Sequence, residues 1–274
     1  NNGVFFFDVI NTASGETIVQ ETSETLGLVV EGSILSDSGD VEIYDLDAND
    51  NQTLTTTLQS ISGTASDNTT PLNILNVQTN AITSAFTVTP GQKTGNSTPV
   101  TWDFTIAESD IDFLARGESI KAIFRIASSD SNGGSAFKDV TITINGTNDA
   151  PVISASSDTT GAVTEAGHND NGTPFNGTPS ASGTLISTDV DNNSSASWSI
   201  YGASSGTYGS ISVTSAGVWT YTLDNSLTAT QSLKEGDIQY ETFTARVTDD
   251  KGAVADQAIT ITVNGSNDVP AFDV

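Results

Sequence analysis

Apolar and polar residues alternate in short runs along this chain. Thr141-Ile142-Thr143-Ile144 and Thr260-Ile261-Thr262-Val263 do so, and Trp219, Tyr221 and Leu223 occupy every second position of another run. Phe243, Ala245 and Val247 repeat the pattern. A period of two places such residues on one side of a strand, so each run predicts a strand with one face on a core. Strands are predicted over residues 41–44, 100–106, 121–128 and 140–145, then over 183–188, 197–201, 209–214, 218–223, 240–247 and 254–264. Turns punctuate them, at Ser215-Ala216-Gly217 and Asp250-Lys251-Gly252 for example. No segment carries the helical period beyond a short turn. The prediction is all-β, with about seven strands per sandwich.

The pattern occurs twice. Asp45-Leu46-Asp47 aligns with Asp189-Val190-Asp191 at an offset of 144 (189 − 45), which also aligns Glu21 with Glu165 and Gly39 with Gly183. Trp102 aligns with Trp219 at 117 (219 − 102), and Leu114, Phe124, Asp130, Asn148 and Pro151 align with Leu233, Phe243, Asp249, Asn267 and Pro270 at 119. Two copies of one module account for this. The domains expected are residues 1–149 and 150–274, the first holding an insertion of 27 residues (144 − 117) within 48–101. Strands at residues 72–78 and 85–89 are expected inside the insertion.

Composition narrows the partners. Eight Lys and Arg against thirty-four Asp and Glu give a formal charge of −26. That leaves no basic footprint for nucleic acid or an anionic membrane surface. At 35% hydrophobic residues the chain can build cores, so the charge does not imply disorder. There is no Cys, and no apolar run is long enough to span a bilayer. The N-terminus lacks the basic and apolar regions of a secretory signal and reads as the start of a piece of something longer. A monomer is expected.

Asn145-Gly146-Thr147-Asn148-Asp149-Ala150-Pro151 follows one alternating run, and Asn264-Gly265-Ser266-Asn267-Asp268-Val269-Pro270 follows the other. Proline ends the strand and favours extended chain before it. The Asn and Asp between offer oxygens where two modules meet, so each stretch reads as a joint that binds a hard cation.

The runs GTYGSISVTSAGVWTYTLDNS, LKEGDIQYETFTARVTDDKG and AITITVNGSNDVP resemble the VCBS repeat of large bacterial RTX-type adhesins, which is cadherin-like. The resemblance covers nearly all of the second module and residues 102–151 of the first. It implies tandem Greek-key β-sandwiches of cadherin or Ig type, Ca2+ at the joints, and display on the bacterial cell surface after type I secretion. Carried over residue by residue, it implies a joint of Glu21 and Glu118 from the first module, Asn148 and Asp149 from the linker, and Asp189, Asp191 and Asp249 from the second. Asp45, Asp47 and Asp130 would then serve a joint with an upstream module, and Glu165, Asp237, Asn267 and Asp268 one with a downstream module. Glu31 rivals Glu21, since it too follows an apolar strand; the offset of 144 favours Glu21. Cadherins usually have Asp-Arg-Glu where this chain has Arg116-Gly117-Glu118 and Glu235-Gly236-Asp237, and an Asn where it has Ala150 and Val269. Fewer or weaker ions per joint follow.

The leading reading is therefore a calcium-stiffened extender of a surface adhesin, with neighbouring repeats as partners, holding a distal tip for adhesion or biofilm formation. The alternative is a calcium-dependent glycan- or peptide-binding module that uses the insertion, although that stretch has no Trp or Tyr to stack on a sugar. An enzyme is not expected. The sole His, His168, lies in the polar run His168-Asn169-Asp170-Asn171-Gly172 and reads as a solvated surface residue.

Overall fold

The computed structural model describes residues 18–21, 26–32, 35–45 and 51–270. The chain divides into two compact units, Asn1–Thr147 and Asn148–Val274. Sequence placed the boundary between residues 149 and 150; here Asn148 and Asp149 belong to the second unit.

Unit 1 contains β1 (Ile18–Glu21), β2 (Leu26–Val30), β3 (Ser36–Tyr44), β4 (Thr53–Thr64), β5 (Pro71–Leu72), β6 (Phe86–Pro90), β7 (Ser97–Thr105), β8 (Ser119–Ser129) and β9 (Ser135–Asn145), with one helix, α1 (Asn76–Ala85). One sheet runs β1-β3-β7-β6 and the other β2-β9-β8-β4-β5. Their facing sides enclose Val41, Ile43, Val100, Trp102, Phe104, Phe124, Ile142 and Ile144. β2 runs parallel to β9, placing Val30 beside Asn145.

Unit 2 contains β10 (Val152–Ile153), β11 (Thr160–Thr164), β12 (Gly167–His168), β13 (Pro174–Phe175), β14 (Ser180–Thr184), β15 (Ser187–Thr188), β16 (Ala196–Tyr201), β17 (Gly209–Val213), β18 (Val218–Leu223), β19 (Ile238–Asp249) and β20 (Val254–Asn264), with a one-turn helix α2 (Thr228–Gln231). Its main sheets run β11-β20-β19-β16 and β14-β18-β17. The chain crosses between them from β14 to β16, back to β17, and again from β18 to β19, a Greek-key sandwich. Trp219, Tyr221, Phe243, Ala245, Val247, Ile259, Ile261 and Val263 form the core, so the alternating positions face inward as expected.

Four expectations change. Residues 72–78 do not form a strand. Asn76–Ala85 is a helix, started by the Leu75 N–H donating to Gln78 Oε1 at 2.7 Å, and Ile82 is its one buried residue. A helix that buries one residue leaves no apolar stripe to read. The stretch 183–188 breaks into β14 and β15, because after Leu185, whose N–H still donates to the Gly217 carbonyl opposite it, the chain leaves β18. The Ile186 N–H donates to Ser157 Oγ, and Ser187 and Thr188 pair with β10. The insertion is also two insertions. Leu54 and Trp198 hold equivalent places opposite Ser128 and Val247, still 144 apart (198 − 54). Val88 and Val213 face Trp102 and Trp219 at 125 (213 − 88). Nineteen extra residues (144 − 125) therefore lie between Leu54 and Val88, and eight (125 − 117) in the β6–β7 turn.

The fourth concerns register. Glu31 follows β2 as Glu165 follows β11: their backbone N–H groups donate to the carbonyls of Asn145 and Asn264 at 3.0 and 2.9 Å. Gly27 and Gly161, at the same offset of 134 (165 − 31), lie where a Cβ would press on the rings of Trp102 and Trp219. Glu31, not Glu21, is the counterpart of Glu165. Glu21 lies in β1, opposite Val41. The register fails because unit 2 carries ten extra residues (144 − 134), the β12–β13 hairpin, between Glu165 and β14.

Candidate metal centre

The candidate ligands lie at the poles of each sandwich, because strand ends and turns converge there. At the N-terminal pole of unit 2, Asp249 ends β19. Its Oδ1 accepts the backbone N–H groups of Lys251 (2.8 Å), Gly252 and Ala253 (2.9 Å), and its Oδ2 accepts the Asn148 side-chain amide at 3.0 Å. Asp189 Oδ1 accepts the Asp191 N–H at 3.0 Å, and Asp191 Oδ2 accepts the Asp149 N–H at 3.1 Å. These bonds bring Asn148, Asp149, Asp189, Asp191 and Asp249 to one place within a single unit.

The electrostatics there are adverse without a counter-charge. Asp191 is 6% exposed, and burial pushes its carboxyl up to about 6, with Asp189, Asp149 and Asp249 adding repulsion. Asp249 feels burial too, but its hydrogen bonds outweigh that and lower it. Asn148 Oδ1, Asp189 Oδ2 and Asp191 Oδ1 are buried and accept no hydrogen bond. All three atoms are acceptors, so a further carbonyl or carboxylate cannot satisfy them; a cation can. The donors fit a hard divalent ion: carboxylate and amide oxygens with no sulfur. Among the described residues, no group of three or more His, Cys, Asp or Glu is arranged to hold an ion as it stands.

The C-terminal poles match each other. In unit 1 Glu31 (1% exposed) accepts the Thr147 N–H at 2.6 Å, and Glu118 (5% exposed) accepts the Ala115 N–H at 3.3 Å. In unit 2 Glu165 (0% exposed) accepts the Ser266 N–H at 3.3 Å and the Gln231 amide at 3.2 Å, and Asp237 accepts the Lys234 N–H at 3.0 Å. Burial, with Asp268 nearby, raises Glu165. Gly146 and Gly265 donate to the carbonyls of Glu118 and Asp237, both at 3.0 Å. A Cβ on either glycine would collide with the backbone of the preceding loop, at Leu114 O and Lys234 O. Asn267 and Asp268 follow this pole, and the Asn267 carbonyl accepts the His168 N–H.

The N-terminal pole of unit 1 is less fully described. Asp45 is buried and accepts from Gln52 at 3.3 Å, and Asp130 accepts the N–H groups of Asn132 and Gly134 at 2.8 and 2.7 Å. Asp47 lies outside the described residues. The offset of 144 favours Glu21 over Glu31; the signal in the sequence that finds Glu31 is the pairing of Gly27 with Gly161. His168, read as a solvated residue, is half-buried, because the β12–β13 hairpin folds it against the end of β20.

Residues 148–265 match the family profile of the bacterial cadherin-like domain, which supports a cadherin-like repeat over the second unit. Such domains are typically non-enzymatic adhesion modules. No curated protein matches the chain. Among solved structures, it is similar to the cis-dimer of protocadherin gammaB7 EC3-6 (15% identity, TM-score 0.41, covering 92% of this chain and 50% of that one). It is also similar to protocadherin gamma B2 extracellular cadherin domains 1-5 (16%, 0.45, 94% and 41%) and mouse cadherin-23 EC22-24 (11%, 0.41, 92% and 67%). The chain spans half or less of the length of the first two.

Proposed function

We propose that the chain is an extracellular, calcium-stiffened extender of a bacterial surface adhesin. The observation that carries this reading is the set of buried, unsatisfied acceptor oxygens on Asn148, Asp189 and Asp191. Chain connectivity supports it. Thr147 is hydrogen-bonded to Glu31 in unit 1, and the next residue, Asn148, to Asp249 in unit 2. An ion held by Asn148, Asp149, Asp189, Asp191 and Asp249 would need only Glu31 and Glu118 to tie the units together. The linker would then be fixed rather than free to coil. Glu165, Asp237, Asn267 and Asp268 would serve the next joint in a tandem array, and Asp45, Asp47 and Asp130 the preceding one. The cadherin-like match favours the cell exterior, and type I secretion and RTX membership belong to the same proposal.

The rival reading, recognition through the insertion, is less favoured. Its extra residues lengthen β4 and the β6–β7 turn and fit Ile82 into the core, which are structural tasks. Calcium titration by calorimetry, paired with small-angle scattering with and without chelator, tests the extender. Heat of binding that disappears in Asp189→Asn/Asp191→Asn, and an end-to-end distance that fluctuates more in chelator, are expected. Identical scattering in both buffers contradicts the stiffened joint, and absence of binding contradicts the site.

A further inference from the structure

Unit 2 has one feature that its frame does not require. Unit 1 goes from Glu31 to β3 directly, whereas unit 2 inserts the β12–β13 hairpin between Glu165 and β14. The hairpin is well made: Asn171 accepts the backbone and hydroxyl of Thr173 at 3.0 and 2.6 Å, and the Asn169 amide donates to Thr173 Oγ1 at 3.0 Å. Its first strand is bridged to Asn267, with the His168 N–H donating to the Asn267 carbonyl at 2.6 Å. Between hairpin and strand end lies a cavity of about 490 Å³, lined by His168, Asp170, Phe175, Glu235, Ser266 and Asn267.

Two buried polar atoms in this lining have no hydrogen-bond partner, His168 Nδ1 and Ser266 Oγ. Ser266 is 6% exposed. We propose that the cavity receives a neutral sugar ring, such as the end of a glycan chain. A hydroxyl can donate and accept, and so can a serine hydroxyl and a neutral imidazole across its two nitrogens, which makes a polyol the natural complement. Asp170 and Glu235 accept from hydroxyls and repel anions, and the net charge of −26 excludes acidic sugars. Phe175, 38% exposed, offers an apolar face for the C–H side of the ring. The volume lies in the range of small-ligand sites and far exceeds a bare ion. The site is built from unit 2 alone and shares none of Asn148, Asp149, Asp189, Asp191 or Asp249. It does share Asn267 with the proposed downstream joint, which is why the test is run both in calcium and in chelator.

The protein's sole histidine provides the test, because its imidazole gives one resonance that reports this cavity. Neutral methyl glycosides of glucose, galactose, mannose and N-acetylglucosamine are titrated into the full chain, in calcium and in chelator, while that resonance is followed. At least one sugar is expected to shift it saturably, with binding about tenfold weaker in Phe175→Ala, whose ring is partly exposed. Ser266→Ala, which keeps the backbone N–H bonded to Glu165, is expected to weaken binding similarly and decides the matter if Phe175→Ala misfolds. The proposal is overturned if no sugar moves the resonance, which would mean the two atoms meet water alone. It is also overturned if the shift survives both substitutions, or if calcium alone moves the resonance and no sugar does.

Discussion

The two units close the same corner of the sandwich in opposite ways. Unit 1 has Phe104 and Ala122 where unit 2 has Tyr221 and Glu241; Ala122 and Glu241 stand opposite the equivalent residues Ile142 and Ile261. In unit 1 the extra residues between β4 and β6 bring in α1, Ile82 enters the core, and Phe86 stacks on Phe124 with centroids 4.3 Å apart. Unit 2 has only a short loop there, and a buried carboxylate ties it down. Glu241 accepts the Tyr221 hydroxyl and the N–H groups of Thr207 and Tyr208. Burial and this bond hold the Tyr221 phenol above its ordinary range, so it remains a donor. A Cβ on Gly206 would strike the Glu241 carboxylate. One corner is filled by apolar volume and the other by a satisfied polar cluster, which shows that the frame specifies a gap to be closed and not the chemistry that closes it.

That contrast breaks most visibly at Glu241. Glu241→Ala leaves the buried Tyr221 hydroxyl unpaired, at about 1–3 kcal/mol, and releases the N–H groups of Thr207 and Tyr208 in a more exposed loop, so a loss of about 3 kcal/mol is expected. Chemical denaturation measures it, and hydrogen exchange should confine it to unit 2. Adding Tyr221→Phe should return about 1 kcal/mol; a strictly additive double mutant would show that the two do not act together. Ile82→Ala, the corresponding change in unit 1, should cost about 3 kcal/mol through the cavity it leaves, and exchange should accelerate in unit 1 alone.

The poles sharpen the comparison at lower energy. At about 1 mM calcium and a dissociation constant of about 0.1 mM, one ion stabilises by about 1.4 kcal/mol. Chelator should therefore lower the Tm of unit 2 by about 5 °C, and Asp191→Asn should remove that difference. Acidity adds a signed check. Asp191 binds its proton more tightly folded (about 6) than unfolded (3.8). In chelator, stability should fall as pH rises through that window, so moving from pH 7 to pH 5 gains about 1 kcal/mol. In calcium the gain should shrink or reverse, since protons displace the ion. Smallest is the pair of outer-face clusters. Arg125 and Arg246 hold Asp139 and Asp256 at 2.7 Å and lie 3.5 Å over Phe137 and Tyr201. Alanine at either arginine should shift the denaturation midpoint least of all these changes, because solvent screens both pairs.

Alternation and repetition were enough to establish the all-β class, most strands, the inward faces of Trp219, Tyr221 and Phe243, and the equivalence of Asp130 with Asp249. These are local or periodic properties, and a period of two survives in the letters themselves. Register, helix α1 and the surroundings of His168 came only with the tertiary structure. Glu31 and Glu165 are equivalent because each follows a strand paired in parallel with the last strand of its unit, and that pairing joins residues a hundred or more apart. Asn76–Ala85 becomes helical because Ile82 has a core gap to fill, and a composition rich in Asn and Thr carries no sign of one. His168 becomes half-buried because a hairpin folds onto the end of β20. In each case the deciding interaction is between distant parts of the chain, and only the packed fold brings them together.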